Sequence, residues 1–386
     1  MTNLLRWAAV IIVTVHGLIH LLGAAERFGW TDDPTIEPSN GLGLLWLAAA
    51  VLLLVTALFA ALGWVVGWWL LAVVAALVSQ LAILTSWDVS SGGTVANVFL
   101  LLVALYSFLL RGPFSLHAQW HRHVDDALEA VGPGAPAVTE DDLRDLPSQV
   151  AAYVRASGAV GQPRPTSVRA DFHGRIRSGP KAPWMAISGK QVNTFGADPR
   201  RFYLLETSRG GLPVLVLHAY AGATASMCAK VLSVATVVDA TGPEMDQGET
   251  VTVFNDLVVL APGAIVGAPI EWTALDDRQV RGVFTNGGQR VEAVLTFDGD
   301  RLVNFVSRDR FRASADGSSF DRQAWSTPLA GHTAADGHHV ITSGVGRWQD
   351  PSGWFTYVEI EFDDITHDVG EMHRTGEPRR RARLDA

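Results

Sequence analysis

The distribution of apolar and charged positions divides the chain into two parts. Up to Val124 apolar residues dominate, lysine is absent, and the only cationic side chains besides histidines are Arg6, Arg27, Arg111 and Arg122. Most charged positions follow Val124. A long apolar segment with few charges can be buried in a lipid bilayer, whereas a segment with many charges is stable in water. This pattern therefore predicts a membrane module followed by a water-soluble domain.

The N-terminal part contains apolar segments that are long enough to cross a bilayer. Residues 7–25 carry no formal charge, and neither do residues 38–87, which have the length of two spans interrupted near Gly63 and Gly67. A further apolar segment covers residues 94–110. Because about 20 apolar residues cross a hydrocarbon core of about 30 Å, we predict four transmembrane helices.

The charges beside these segments predict the orientation of the module. Arg6 precedes the first span, and Arg111 and Arg122 follow the fourth, whereas the loop at residues 26–40 has four acids and one arginine. Cytoplasmic loops carry an excess of Lys and Arg. We therefore expect a multi-pass protein of the cell membrane with both termini and the C-terminal domain in the cytoplasm.

Beyond residue 145 the apolar period becomes that of a sheet. Residues 168–176 alternate between apolar and mostly polar side chains, which is typical of a half-buried strand, and similar segments follow. Asn286-Gly287-Gly288 and Asp298-Gly299-Asp300 carry the residues of tight hairpin turns. A helix interrupts the strands, with Asp246 and Glu249 spaced as a capping box at its start.

These patterns predict a membrane α-helical module with four transmembrane helices plus an α+β soluble domain. The soluble fold is expected to be an antiparallel, curved half-barrel sheet of roughly ten strands with one or two helices. The expected domains are the membrane module at 1–112, a juxtamembrane helix and Pro/Gly linker at 113–144, the half-barrel at 145–370 and a basic flexible tail at 371–386.

Composition excludes several classes of function. A net charge of −9 argues against a nucleic-acid partner, since phosphate binding needs clustered Lys and Arg. The single cysteine, Cys228, excludes a disulfide framework. The chain also lacks a GxSxG elbow, a Walker loop and a dinucleotide-binding glycine motif. An enzyme is therefore not favoured.

Two motifs carry a family resemblance. Residues 242–249 read GPEMDQGE, and the first span contains His16-Gly-Leu-Ile-His-Leu-Leu-Gly23. Together they resemble an uncharacterised bacterial family in which a four-helix membrane module precedes a sheet domain. By its strand and helix order the sheet domain is also similar to LolA/LppX-type lipoprotein carriers, which implies a curved half-barrel closed by helices over an apolar cavity. Those carriers work outside the cytoplasmic membrane, unlike the side expected here.

His16 and His20 are the candidate metal or haem ligands. They lie four positions apart on the first span and so share one face of a helix. Ionisable residues at this depth are costly and often functional. The alternative is that both are neutral and hydrogen-bonded to Ser79, Gln80, Thr56 or Asn97 on neighbouring spans.

The candidate ligand-binding residues lie in the sheet domain. They are Trp184, Glu244, Gln247, Phe254, Leu257 and Trp272. Phe172, Trp184, Phe254, Leu257, Phe284, Leu295 and Phe305 are expected to line an apolar interior pocket of several hundred Å³, since a lipid chain needs such a volume. In the alternative, the same apolar residues close a dry core, and the acids near Glu244 serve as helix caps.

The leading functional hypothesis is a membrane-anchored binding protein that holds a lipid or other apolar ligand in the curved-sheet domain. One alternative is an enzyme acting on a lipid or envelope precursor. Another is a non-catalytic membrane sensor or scaffold. The expected partners are membrane lipids and an apolar ligand, with a second copy of the chain or an envelope protein as further candidates.

Overall fold

The computed structural model describes residues 3–31, 37–63, 67–132, 135–313, 319–335 and 338–369. The chain forms two compact units, Met1–Gln119 and Trp120–Ala386. The basic tail predicted at 371–386 lies outside the described residues, as do residues 133–134 of the predicted linker.

The N-terminal unit is a bundle of helices. They are α1 (Asn3–Arg27), α2 (Asn40–Ala61), α3 (Trp68–Leu84), the short α4 (Trp87–Ser90) and α5 (Gly93–Arg111), and α6 (Leu116–Ala130) continues into the second unit. In the bundle, α2 packs against α1 and α3, and α5 packs against α3 and α1.

Within the residues that the structure describes, three helical segments are long and apolar enough to cross a membrane, where the sequence predicted four spans. They are Leu5–Arg27, Asn40–Ala61 and Gly93–Ala130. The remaining predicted span forms α3, which has only 17 residues. Gly67 precedes it in a left-handed conformation with φ 74°. At 1.5 Å per residue such a helix is about 26 Å long, shorter than the hydrocarbon core.

Small residues let the helices of the bundle approach closely. A Cβ atom on Gly23 would lie 2.2 Å from Cε3 of Trp46, so only glycine fits at this contact between α1 and α2. Alanines, including Ala49, Ala75 and Ala82, are fully buried in α2 and α3. Close packing of this kind is the usual source of helix association in membranes.

The described residues of the second unit form one large antiparallel sheet of 14 strands. The strands are β1 (Ser167–Ile176), β2 (Met185–Thr194), β3 (Arg200–Arg209), β4 (Leu212–Ala221), β5 (Thr224–Val231), β6 (Ala235–Thr241), β7 (Ile270–Ala274), β8 (Gln279–Asn286), β9 (Gln289–Asp298), β10 (Arg301–Ala313), β11 (Phe320–Ser326), β12 (Leu329–Ala335), β13 (His338–Asp350) and β14 (Gly353–His367). Their order is β6-β5-β4-β3-β2-β1-β14-β13-β11-β10-β9-β8-β7, with β12 paired to β13.

Helices α7 (Ser148–Ala156) and α8 (Pro243–Leu260) pack against this sheet, and so does α6, where Nε1 of Trp120 donates to the carbonyl oxygen of Phe202 in β3 at 3.2 Å. The chain runs from edge strand β6 through α8 to the opposite edge strand β7. The main sheet contacts of α8 are with β5, β6, β9 and β10, so both flanks of the sheet curl around the helix. The predicted curved antiparallel half-barrel is confirmed.

The strand count and the start of the helix differ from the prediction. Residues 227–238 read as one of the predicted strands, but the structure divides this segment between β5 and β6, because Leu232 and Ser233 both adopt positive φ. Strands β7, β11 and β12 were not predicted. The helix begins at Pro243 rather than Asp246, after Gly242 with φ 114° and without a side-chain cap. The capping box is therefore wrong, and Asp246 instead accepts a 2.7 Å hydrogen bond from the backbone N–H of Ala225.

The main core lies between α8 and the sheet. Phe254 is fully buried, and its ring centroid lies 5.4 Å from that of Phe284 and 5.3 Å from that of Phe305. Val138 and Leu143 belong to the same core, although the sheet domain was expected to begin at residue 145. Aromatic side chains thus fill the space beneath the middle of α8.

Candidate functional site

The concave face of the sheet carries a second apolar cluster outside the main contacts of α8. We call it the trough, and it consists of Phe172, Ile187, Leu205, Val216 and Ile360. Leu205 on β3 and Val216 on β4 lie on the same face as Arg201 and Tyr220, which contact α8. The register of β14, β1 and β2 puts Ile360, Phe172 and Ile187 on that face too. Phe172, Ile187 and Leu205 are buried, whereas Val216 and Ile360 remain half-buried. The trough therefore keeps apolar surface accessible inside the curve of the sheet.

A buried ion network lies beside the trough, formed by Arg201, His218, Glu249, Asp256 and Arg310. Nε of Arg201 donates to Oδ2 of Asp256 at 2.7 Å, and its Nη1 lies 3.3 Å from Oε2 of Glu249. The other oxygen of Glu249 accepts from Nη2 of Arg310 at 3.0 Å. The Glu249 side chain is only 3% exposed. Two cations and two anions thus neutralise each other away from water.

Polar side chains of the sheet complete the pairing of Asp256. Its Oδ2 also accepts from Nε2 of Gln191 at 2.6 Å and from Nδ2 of Asn193 at 3.1 Å. Buried charges are tolerated when they are paired and hydrogen-bonded in this way. The network therefore ties α8 to β2 and β3.

The pKa values of Glu249 and His218 follow from this environment. Burial alone would raise the pKa of Glu249, but the neighbouring His218, Arg201 and Arg310 outweigh it and lower the pKa to about 2. Burial lowers the pKa of His218 to about 4, despite the nearby charge of Glu249. At neutral pH the glutamate is ionised and the imidazole is uncharged.

Two nitrogen atoms of the network are buried without a hydrogen-bond partner among the described residues. They are Nε2 of His218 and Nε of Arg310. Nδ1 of His218 lies 3.6 Å from Oε2 of Glu249, so the proton of the neutral ring is best placed on Nδ1, where it faces the carboxylate. Nε2 is then a free acceptor. The Arg310 guanidinium also stacks on Trp325, at 4.3 Å from the ring centroid.

Four of the predicted ligand-binding residues lie near the core and the start of α8. Phe254 and Leu257 are buried, at 0% and 3% exposure, and Trp272 lies 6.2 Å from the Phe254 ring. Gln247 donates from Nε2 to the carbonyl oxygen of Asp309 at 3.1 Å. Their packing fits the dry-core alternative at these positions. Glu244 is half-buried in the first turn of α8.

The remaining residue of that set, Trp184, lies on the outer face of the sheet. Arg175 and Arg177 stack on its ring at 4.6 and 4.4 Å from the centroid. These arginines alternate with trough residues along and beyond β1, so they point away from the concave side. Trp184 precedes β2 and stacks on Arg175, which has the outward parity of β1, so the expectation that it lines the interior is wrong.

A hollow also lies on the outer face of the sheet. It has about 400 Å³, and five charged residues of β9, β10 and β11 line it together with four valines and an alanine; the charged ones are Arg290, Glu292, Arg308, Asp309 and Arg322. Val291, Ala293 and Leu295 on β9 point into the core. Glu292 and Val294 alternate with them, so these two residues and the hollow they line are on the opposite, outer face. This hollow differs in place and chemistry from the apolar pocket that was expected.

The two bundle histidines form a hydrogen-bonded cluster. Nε2 of His16 lies 3.0 Å from Oγ of Ser79 and 3.2 Å from Oδ1 of Asn97, and Nε2 of His20 lies 2.8 Å from the same Ser79 oxygen. Both imidazoles are buried, as the hydrogen-bonding alternative predicts. Within the described parts of the chain, no group of three or more His, Cys, Asp or Glu side chains could hold a metal ion.

Comparison with known proteins identifies a family. The sequence profile of a family of unknown function, DUF6544, matches residues 136–360. The predicted membership of an uncharacterised family is thereby confirmed. No curated protein matches the chain.

Three solved structures are similar to the sheet domain. A proposed outer membrane lipoprotein-sorting protein domain from Vibrio parahaemolyticus is 10% identical with a TM-score of 0.31, covering 53% of this chain and 86% of that chain. A DUF1329 family protein from Desulfovibrio piger is 14% identical with a TM-score of 0.31, covering 58% and 93%. A LolA superfamily protein from Nitrosomonas europaea is 12% identical with a TM-score of 0.30, covering 60% and 94%. These similarities carry no conclusion about what the chain binds.

Proposed function

Since the chain belongs to the DUF6544 family, whose function is unknown, we propose a function from the geometry of its own site. The protein is a membrane-anchored binding protein that holds a lipid or another apolar ligand in the trough of its curved sheet. The four predicted spans, with the short α3 among them, anchor the domain beside its source of lipid.

The observation that carries this proposal is the trough itself. A concave apolar face is normally closed by a helix, yet no residue of α8 belongs to the apolar cluster that forms the trough. Half-buried Val216, Ile360 and Ile176 remain on β4, β14 and β1. An acyl chain laid along these side chains would remove their remaining apolar surface from water, which gains about 25 cal/mol per Å².

The network beside the trough supports binding better than catalysis. General acid–base catalysis is most efficient when the pKa of the group lies near the working pH. The pKa of Glu249 is about 2 and that of His218 is about 4, so neither group exchanges protons readily near neutral pH. The enzyme alternative therefore ranks below the binding function.

The test is titration of the purified full chain with a fluorescent long-chain acyl probe. We expect saturable binding that Val216→Trp weakens at least tenfold, because the indole would fill the trough. Val237→Trp is the matched control, since Val237 is 55% exposed on edge strand β6. Absence of saturable binding by the wild type, or equal loss in both variants, would refute the proposal.

One feature favours the scaffold alternative as a second candidate. Leu212, Leu232, Val234 and Val237 are exposed apolar side chains on the β3–β4 hairpin and the neighbouring β5–β6 hairpin. Exposed apolar groups of this kind often mark interaction sites. If the domain acts through a protein partner, Val237→Lys should abolish its effect in the cell and leave acyl-probe binding unchanged.

A further inference from the structure

The trough and the ion network form one continuous surface with two chemistries. Val216 and His218 are two positions apart on β4 and so point to the same side of the sheet. Tyr203 lies between the two regions, with its ring 4.9 Å from that of Phe172 and with the Arg201 guanidinium 4.8 Å from its centroid. A ligand lying in the trough would therefore bring one end to the network.

The ion network can form two hydrogen bonds with that end of the ligand, one as acceptor and one as donor. Nε2 of His218 has a free lone pair, and Nε of Arg310 has an N–H group without a partner among the described residues. Both side chains contact the carboxylate of Glu249, through Nδ1 of His218 at 3.6 Å and Nη2 of Arg310 at 3.0 Å, so the two residues flank the same buried group. A buried polar group left unpaired is costly, so a ligand that pairs both is favoured.

The charge of the network is already balanced. Arg201 and Arg310 are matched by Glu249 and Asp256. An anionic head would add a third negative charge beside two buried carboxylates, and a cationic head would add a third positive charge beside two buried guanidinium groups. Either arrangement leaves an uncompensated charge in a poorly hydrated place, which is strongly unfavourable.

We propose that the bound amphiphile has an uncharged hydroxyl head, as in a long-chain alcohol or a monoacylglycerol. Its O–H donates to Nε2 of His218, and its oxygen accepts from Nε–H of Arg310. This inference rests on the proposed binding function and specifies the class of ligand for the same site.

The test is competition against the fluorescent acyl probe on the purified full chain in detergent micelles. The competitors are oleyl alcohol, oleate and methyl oleate, which share an 18-carbon chain and differ at the head. We expect wild-type protein to prefer oleyl alcohol at least tenfold over the other two, since methyl oleate lacks the donor and oleate carries a charge. The partition of each competitor into the micelles is measured without protein, and preferences are calculated from the corrected free concentrations.

Variants at His218 separate the hydrogen bond from general packing. His218→Phe should bind the probe but lose the preference for the alcohol, whereas His218→Gln should retain most of it, because the Gln amide oxygen can replace Nε2 as an acceptor. His173→Phe is the control, since His173 is exposed and pairs with Asp363 on the outer face.

The outcomes distinguish the two proposals. If no acyl probe binds, the binding function fails. If the probe binds but oleate competes as well as the alcohol, or if His218→Phe keeps the wild-type preference, the hydroxyl assignment is wrong and the binding function stands.

Discussion

Glu249 is the residue that joins the largest number of groups in the ion network. It contacts Arg201, Arg310 and His218, and Oγ1 of Thr252 donates to it at 3.2 Å. It is also the last residue of the GPEMDQGE stretch that identified the family resemblance. The role of this motif position is therefore to supply a buried counter-charge, rather than to cap the helix.

Glu249→Gln should destabilise the sheet domain by about 3–5 kcal/mol, because it leaves two buried guanidinium groups with one carboxylate. Unfolding of the full chain by urea, followed by tryptophan fluorescence, measures this loss. Glu271→Gln is the control, since it removes an ion pair with Arg290 whose side chains are 61–73% exposed. Exposed pairs contribute about 0–1 kcal/mol, so equal effects of the two substitutions would contradict the assignment.

His218 should make stability depend on pH. Its pKa is about 4 in the folded protein, against 6.5 for a free histidine, so between these values the unfolded chain binds a proton that the folded chain does not. Stability that is present above pH 6.5 is then lost as the pH falls toward 4. The unfolding temperature of wild type should fall more steeply than that of His218→Gln over this window, and parallel curves would disprove the effect.

Some residues of the buried ion network can be predicted from the sequence, and others cannot. Asp256 stands in an otherwise mostly apolar segment, residues 251–260, and such an isolated acid is a signal for a buried partner. Arg310 cannot be placed from alternation, because a register irregularity between Ser307 and Arg310 changes which side chains face inward. Arg201 becomes recognisable only when the inward face of β3 is known.

At the scale of elements, the GPEMDQGE segment shows how a motif determines local structure. Gly242 has φ 114° and ψ 174°, a conformation that side chains rarely adopt, and Pro243 begins the helix. A Cβ atom at Gly248 would lie 3.8 Å from the Phe311 backbone nitrogen, an ordinary contact distance, so the helix packs against β10 at this point. The motif thus turns the chain from β6 onto the concave face.

Gly242→Ala should destabilise the domain by about 1–3 kcal/mol through backbone strain alone. Gly179→Ala is the matched control, because a Cβ atom there meets nothing within 4 Å. Its effect should stay within about 0.5 kcal/mol. Chemical denaturation of both variants gives the comparison, and a tolerated alanine at position 242 would argue against the turn.

Most strands were predictable from alternation and hairpin residues, and the exceptions have physical reasons. Strand β7 has only five residues and follows a 3₁₀ turn, so its pattern is too short to recognise. Leu232 and Ser233 form a tight turn without glycine, asparagine or aspartate at either position, which hides the boundary between β5 and β6. Long alternating strands such as β9 were identified correctly.

At the scale of the whole molecule, the charge asymmetry makes a prediction about the membrane. Arg6, Arg111 and Arg122 flank the ends of the apolar segments that should face the cytoplasm, and the 26–40 loop is acidic. A C-terminal green fluorescent protein fusion should therefore be bright and an alkaline phosphatase fusion inactive. The reverse pair of results would place the sheet domain outside.

The strand order has a consequence for the synthesis of this protein. Strand β1 pairs with β14, so that Val168 lies opposite His367 and the first strand of the sheet finds its partner in the last. Until β14 leaves the ribosome, β1 and β13 each present an unpaired edge, and such edges favour aggregation. Closing so long a loop is also slow. A chain that ends after β13 should accumulate in insoluble form, because only the final strand joins the two halves of the sheet.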